Sequence, residues 1–281
     1  MSTTSKVLFI TGCSTGFGHQ IAERAIKSGY RVVATARNVS QIETLTAGAE
    51  DRVLTLPLDV TDQDQITEAV AQSLSRFGRI DVLINNAGIG YFSSVEEGME
   101  EETRKMFEIN FWGLMQMTNA VLPQMRQQKS GHIINFSSIG GLVSFPTLGY
   151  YHATKYAVEG ISESLAQEVS HLNINVTLVE PSGFRTDWSG RSSAKTDTVI
   201  PEYKEAIVGQ MLQGVSQQSG QEPGNPEKAA DAILQLVEAE QPPLRLLLGK
   251  AAYQAASHKL STLTENIERW KETTLTVDFE N

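Results

Sequence analysis

The sequence predicts an α/β fold: a doubly wound, Rossmann-like sheet of seven parallel strands with helices on both faces. Two observations predict it. Apolar runs of four to six residues alternate with longer segments of helical period, the pattern of strand and helix units in a parallel sheet. The first of these runs, Val7–Thr11, passes directly into a glycine-rich turn and then a helix. No internal repeat or low-complexity linker divides the chain, so its 281 residues read as a single domain, 1–281.

The elements follow in order. The N-terminal stretch MSTTSKVLFITG holds one lysine, a four-residue apolar run and no small-residue cleavage signal, so it reads as the first strand, Lys6–Thr11, rather than a signal peptide. Further strands are expected at Arg31–Ala36, Val53–Pro57, Val82–Asn85, His132–Phe136, Asn175–Val179 and Arg245–Leu248. Helices are expected near Gly16–Ser28, Asp62–Phe77, Glu100–Gln127, Tyr151–His171 and Pro226–Glu238. Pro181–Ile200 is rich in Ser, Thr and Gly and follows a strand's carboxyl end, the place of a lid or binding loop. Glu202–Gln218 reads as a helix and Gly220–Pro226 as a polar loop, so a substrate loop and helix span about 182–220 and an extension about 251–281.

Composition bounds the function. A formal net charge of −10 leaves no basic field for a phosphate backbone, so nucleic acid is not expected as a partner. Cys13 is the only cysteine, which excludes an intrachain disulfide and fits a reducing cytoplasm. His19, His132, His171 and His258 show no metal-ligand spacing, and no metal is expected. No window approaches the roughly 20 apolar residues of a membrane span.

In Gly12-Cys13-Ser14-Thr15-Gly16-Phe17-Gly18, glycines let the backbone approach a pyrophosphate, and the helix amino end supplies free N–H groups. Cys13 sits at that helix start, where a thiol pKa can fall, but simple packing is the preferred reading. In YYHATK, residues four apart share a helix face, which pairs Tyr151 with Lys155 and Tyr150 with uncharged Thr154. A lysine ammonium favours the phenolate and should lower the Tyr151 pKa towards working pH. His152 is turned about 100° from that face and reads as a bystander.

The glycine spacing TGxxxGxG, followed in order by Asp59-Val60, Asn85-Asn86-Ala87-Gly88, Asn110, Ser137-Ser138, Tyr151-x-x-x-Lys155 and Pro181-Ser182-Gly183, resembles the short-chain dehydrogenase/reductase family, strongly over about 6–186. The resemblance implies a nicotinamide dinucleotide bound by Gly12, Ser14, Thr15, Gly16, Phe17, Gly18, Arg37, Asp59, Val60, Asn86, Ala87, Gly88, Tyr151, Lys155, Pro181, Gly183 and Thr186. It implies a catalytic set of Asn110, Ser138, Tyr151 and Lys155. Tyr151 exchanges a proton with the substrate oxygen, Ser138 hydrogen-bonds that oxygen, Lys155 holds the nicotinamide ribose, and Asn110 supports Lys155 through a water-linked relay. Thirteen positions separate Ser138 from Tyr151, the family's usual interval, which selects Ser138 over Ser137. In FEINFWG, Asn110 also reads as a satisfied core amide.

Where the family's NAD(H)-selecting carboxylate would stand, seven residues after Gly29, this chain has Ala36, followed by Arg37. A guanidinium binds a phosphate bidentately, so NADP(H) is expected over NAD(H). Pro181-Ser182-Gly183 departs from the family's usual Pro-Gly, which puts the contacts of Ser182 to Thr186 with the nicotinamide carboxamide in question. IGGLVSFP before YxxxK resembles the retinol and hydroxysteroid dehydrogenase branch, implying a hydrophobic alcohol, ketone or aldehyde substrate, and the family resemblance implies a homodimer or homotetramer paired through the helices Glu100–Gln127 and Tyr151–His171. Rival readings are an acyl-thioester (3-oxoacyl) reductase, a sugar-nucleotide epimerase, against which the glycine spacing speaks, and a catalytically silent NADP(H)-binding sensor.

Overall fold

The structure, a computed structural model, describes residues 5–188, 190, 192–218 and 220–279. Seven strands, β1 (Val7–Ile10), β2 (Arg31–Ala36), β3 (Val53–Pro57), β4 (Val82–Asn85), β6 (Gly131–Phe136), β7 (Ile174–Pro181) and β9 (Arg245–Leu248), form one all-parallel sheet in the order β3-β2-β1-β4-β6-β7-β9. A second, two-stranded ladder pairs β5 (Gly90–Phe92) with β8 (Ser193–Lys195).

Strand side chains alternate between two cores. On one face Leu8, Ile10, Val32, Ala34, Ile84 and Val179 pack under α1 (Gly16–Lys27) and α8 (Pro226–Glu238). On the other, Val7, Phe9, Val33, Leu83, Ile133 and Val176 meet α2 (Gln63–Phe77), α4 (Leu114–Gln128) and the far end of α5 (Gly149–Val169). Both faces are buried, which is why the strands read as unbroken apolar runs.

Helix ends follow local chemistry. The Asp62 carboxylate accepts from Asp64 N at 3.0 Å and Gln65 N at 3.1 Å, capping α2, and Gly78 closes that helix in the left-handed region at φ 76°. At α1 the N-cap residue, Thr15, gives no side-chain cap. Its amino-terminal N–H groups point towards the cleft at the carboxyl ends of the strands.

Two expected helices are interrupted. Glu100–Gln127 divides into α3 (Glu100–Phe107), a π turn at Glu108–Gly113, and α4. The π turn carries Asn110, whose amide binds both backbone groups of Ile89, and a mid-helix insertion of this kind re-aims a side chain that a regular helix would leave elsewhere. Glu202–Gln218 divides into α6 (Pro201–Lys204) and α7 (Ile207–Gln218). The break folds Gly209 against the Lys204 carbonyl oxygen, leaving no room for a Cβ. The extension forms α9 (Lys250–Arg269) and α10 (Lys271–Leu275), anchored by Ala252 and Ala256 against Ile139.

The Pro181–Ile200 stretch, of which residues 189 and 191 lie outside the described residues, is tied down on several sides. Beyond the β5–β8 ladder, the Glu97 carboxylate accepts from Val199 N at 2.7 Å and Ile200 N at 3.1 Å, and Thr196 N donates to Phe92 O at 2.9 Å. Among the described residues, no helix is long and apolar enough to cross a membrane.

Candidate active site

A cavity of about 890 Å³ runs along the carboxyl ends of the sheet, from Arg37 at one end to Tyr151 and Trp188 at the other. All the sequence-predicted cofactor residues except Gly18 line it, together with Ser138; Gly18 and Asn110 lie behind its wall.

The glycine loop owes its shape to two requirements. Gly12 and Gly16 adopt φ +71° and +61°, the left-handed region that favours glycine. A Cβ at Gly18 would collide with the Gly12 carbonyl oxygen and come within 2.5 Å of Asn86 Nδ2. The Asn86 amide donates to the carbonyls of Thr11 at 2.9 Å and Gly12 at 3.0 Å, and Thr11 Oγ1 accepts from Asn86 N and Ala87 N, each at 3.0 Å. Asn85 turns the other way: its Nδ2 donates to Asn135 Oδ1 at 2.9 Å and Thr118 Oγ1 at 3.1 Å inside the sheet. The NNAG segment thus braces the loop through one asparagine and the central strands through the other.

Cys13 is fully buried, its Sγ 3.3 Å from Ile10 O, and burial pushes its thiol up to about 12. The helix start does not activate it, because the side chain points into the core.

At the Arg37 end the guanidinium is exposed and makes no hydrogen bond to any described residue. Beside it, the Asp59 carboxylate accepts from Thr61 N at 2.9 Å and Thr61 Oγ1 at 2.7 Å, and Val60 lies against Gly113 of the π turn.

At the other end α5 stacks Tyr151, Lys155 and Glu159 at successive four-residue steps on one face. Lys155 Nζ lies 5.7 Å from the Tyr151 ring centroid and donates to Phe136 O at 2.7 Å. Burial lowers Lys155 to about 8, with the nearby Glu159 charge acting the other way. Burial also raises Tyr151 to about 12, against a smaller lowering by its hydrogen bond with Ser138. The expected lowering by Lys155 is therefore overturned: desolvation dominates, and the ammonium is committed to a backbone carbonyl beneath the ring. Ser138 Oγ also accepts from Gly140 N at 3.0 Å, which fixes the hydroxyl beside the phenol.

Asn110 Nδ2 donates to Ile89 O at 2.9 Å and Thr154 Oγ1 at 3.2 Å, and Oδ1 accepts from Ile89 N at 2.8 Å. It touches the residue before Lys155 rather than Lys155 itself. Thr186 faces Gly16, since a Cβ there would meet its Cβ at 3.5 Å. The extra residue Ser182 is absorbed at the sheet edge, where its N and Oγ both donate to Leu248 O, at 3.0 and 3.3 Å.

His152, Glu180 and Arg245 had no role in the sequence reading. His152 receives Phe145 N–H on Nε2 at 2.9 Å, so its Nδ1–H donates to Gly140 O, also 2.9 Å, pinning the loop beside Ser138. The Trp188 ring stacks 4.9 Å from that of Tyr151 and 5.5 Å from Phe92. Glu180 and Arg245 meet Glu159 beneath Lys155. Phe184 packs at 5.0 Å on Phe17 of the glycine loop.

Residues 6–197 match the family described as short chain dehydrogenase. The chain is 42% identical to oxidoreductase BOA17 of Botryotinia fuckeliana over 96% of its length and 98% of that protein's. It is 35% identical to 3-ketodihydrosphingosine reductase of Bacteroides thetaiotaomicron, covering 94% and 96%, and 34% identical to human retinol dehydrogenase 8, covering 87% and 82%. Among solved structures, a short-chain dehydrogenase from Streptomyces avermitilis superposes with TM-score 0.89 at 40% identity, covering 99% and 100%. ElxO with NADP bound superposes at 0.73 with 27% identity, covering 89% and 99%. In fold alone, a Burkholderia phymatum relative in complex with NAD superposes at 0.79 with 23% identity, covering 94% and 96%.

Proposed function

The chain belongs to the short-chain dehydrogenase family, and on that premise we propose that it is an NADP(H)-dependent oxidoreductase that moves hydride between the nicotinamide and a hydrophobic secondary alcohol, ketone or aldehyde, with Tyr151 as the general acid and base. The observation that carries this reading is that one cavity joins the uncapped start of α1, the unpaired Arg37 and the Ser138–Tyr151–Lys155 group.

A dinucleotide fits the residues present. Gly12, Ser14, Thr15, Gly16 and Phe17 of the glycine loop line the cavity, and the helix N–H groups there have no side-chain partner, so a pyrophosphate would meet donors without displacing any. Arg37 would pair with a 2′-phosphate, and no carboxylate stands at Ala36 to repel one. The cofactor supplies the hydride; the protein's task is orientation and electrostatics.

In the reduction direction the Tyr151 phenol, raised to about 12, is fully protonated at neutral pH and donates to the carbonyl oxygen. Ser138 Oγ–H donates to the same oxygen and stabilises the charge that develops there. Lys155, with two ammonium hydrogens remaining beyond its bond to Phe136 O, would hold the ribose hydroxyls of a bound dinucleotide, and it steadies the phenolate once the proton has left. Asn110 fixes the start of this stretch of α5 through Thr154 and ties it to Ile89 at the cavity wall. Trp188, Phe92, Phe145, Leu148, Met211 and Val215 surround the space beyond Tyr151 with apolar surface, suited to a bulky apolar substrate. Two relatives, a 3-ketodihydrosphingosine reductase and a retinol dehydrogenase, support that substrate class.

The test is consumption of NADPH, with NADH in parallel, across apolar ketones, aldehydes and steroid or retinoid carbonyls. Turnover with NADPH that disappears in Tyr151→Phe while NADPH still binds is the expected result. Turnover that survives in Tyr151→Phe removes the tyrosine from the reaction.

A further inference from the structure

One helical turn below Lys155, two buried carboxyl groups meet a single guanidinium. Glu159 of α5 is 5% exposed and Glu180 of β7 is 0% exposed, and Arg245 of β9 bonds to both through the same Nη1. Arg245 Nη2 reaches Glu163 at 3.0 Å, which is half in solvent. The second oxygen of each buried carboxyl group, Glu159 Oε1 and Glu180 Oε2, has no hydrogen-bond donor, and neither has buried Ser137 Oγ as acceptor or donor. A Cβ at Gly141 would lie 2.5 Å from Ser137 Oγ and 2.8 Å from Glu159 Oε1, so these two oxygens border the same narrow space.

Two ionised carboxylates buried against each other, with one guanidinium between them, repel unless one takes a proton. That proton satisfies one orphaned oxygen by bonding to the other carboxyl group. Glu180 is raised from the carboxylate range by burial and by the charge of Glu159, while Arg245 pulls it back. Lys155 titrates beside the pair, and Glu159 is the charge that supports its protonated form. The lysine and the carboxyl pair therefore compete for one proton: ionising the pair strengthens the ammonium, and protonating the pair weakens its support.

Other groups facing this part of α5 do not replace that arrangement. The π turn brings Asn110 and the exposed Glu108, the 139–141 turn brings Ser138, and α3 and β5 bring Glu102, Lys105 and Tyr91 around the cavity mouth. Among the described residues, the charged groups that contact Glu159 and Glu180 are Arg245 and each other.

We propose that Glu159 and Glu180 are positioning residues that share one proton and set the charge of Lys155, and through it the ease with which Tyr151 gives up its own. The proposal rests on the roles assigned above to Lys155 and Tyr151.

Two measurements test it. In the first, infrared spectra of the cofactor-free protein follow the protonated-carboxyl C=O stretch against pH. A band that titrates in the neutral range, and that vanishes in Glu180→Gln and in Glu159→Gln but survives in Glu163→Gln and Glu180→Asp, is expected. Its absence from the wild-type protein overturns the proposal whether or not any substrate has been found. In the second, the pH profile of kcat is measured for alcohol oxidation, the direction that needs the phenolate. The wild-type profile should contain a neutral-range ionisation below that of the phenol. Glu180→Gln should delete it, and Glu159→Gln should also push the phenol limb up by about one pH unit, about tenfold slower turnover on that limb. Variants slowed by one factor at every pH would mark a merely structural cluster and overturn the proposal. A protein that turns over no alcohol would fail the proposed function instead, and the infrared titration would then judge the pair by itself.

Discussion

Arg37 offers a clean perturbation because its truncation disturbs nothing else. The guanidinium is exposed, bonds to no described residue, and follows a strand whose last residue, Ala36, is 3% exposed and fixed by pairing with Pro57. Changing Arg37→Ala should therefore leave the fold intact and remove only what the side chain does for a ligand. A charge-assisted hydrogen bond contributes roughly 1.5–3 kcal/mol net, and about 1.4 kcal/mol is tenfold. Loss of the 2′-phosphate partner should lower kcat/KM for NADPH by about 10- to 150-fold. For NADH, which lacks that phosphate, the change should stay within about twofold. Steady-state kinetics with both cofactors on one ketone substrate, at fixed low ionic strength, reads the ratio directly. If both cofactors lose activity together, Arg37 supports the loop rather than the phosphate. If neither changes, the side chain is solvated surface and the cofactor preference must be sought elsewhere.

Two further outcomes follow from other parts of the structure. Trp188→Ala should open the wall beside the phenol, raising KM for small ketones about tenfold or more with a smaller effect on kcat, because an apolar contact of 1–3 kcal/mol is removed from bound substrate; an unchanged KM across substrate sizes would place the indole outside the pocket. Buried His132 donates from Nε2 to Thr177 Oγ1 at 3.0 Å, since that hydroxyl gives its own proton to Pro243 O, and burial, helped by the charge of Lys6, lowers the ring from 6.5 to about 4. Between those values the unfolded chain binds the extra proton, so the contribution is complete above pH 6.5 and falls away as the pH drops towards 4, with about 2 kcal/mol lost by pH 5. Urea unfolding of wild-type and His132→Gln at pH 7.5 and 5 should show a smaller acid loss in the variant; equal losses would assign the acid sensitivity to other groups.

The parts that could be read from sequence were those encoded locally. The central strands of the main sheet, such as β1 and β4, are largely aliphatic runs buried on both faces, and Tyr151 with Lys155 is fixed by four-residue spacing on one helix. What escaped depended on distant partners. Glu159, Glu180 and Arg245 stand on three separate elements and share no spacing, so only the parallel register of β7 with β9, and of α5 over them, brings them together. The π turn at Glu108–Gly113 carries Asn110, whose partner is the Ile89 backbone some twenty residues earlier, a pairing no local pattern announces. The direction of the Tyr151 shift was misjudged for a similar reason. Spacing shows that a lysine is near, but the burial of both groups and the claim of Phe136 O on the ammonium belong to the folded chain.

The loop over the cavity is stitched rather than hinged. A parallel ladder of Gly90–Phe92 with Ser193–Lys195, a hydroxyl bridge from Tyr91 to Thr196 and the grip of Glu97 on two successive amides lie along one seam. Such a seam parts cooperatively, since each bond shields the next. The wall of the cavity at Phe92 and Ala194 is thereby held in place by contacts made outside the Ser138–Tyr151–Lys155 group. The shape of the substrate space on that side is set by Glu97 and the short ladder, far along the chain from Tyr151.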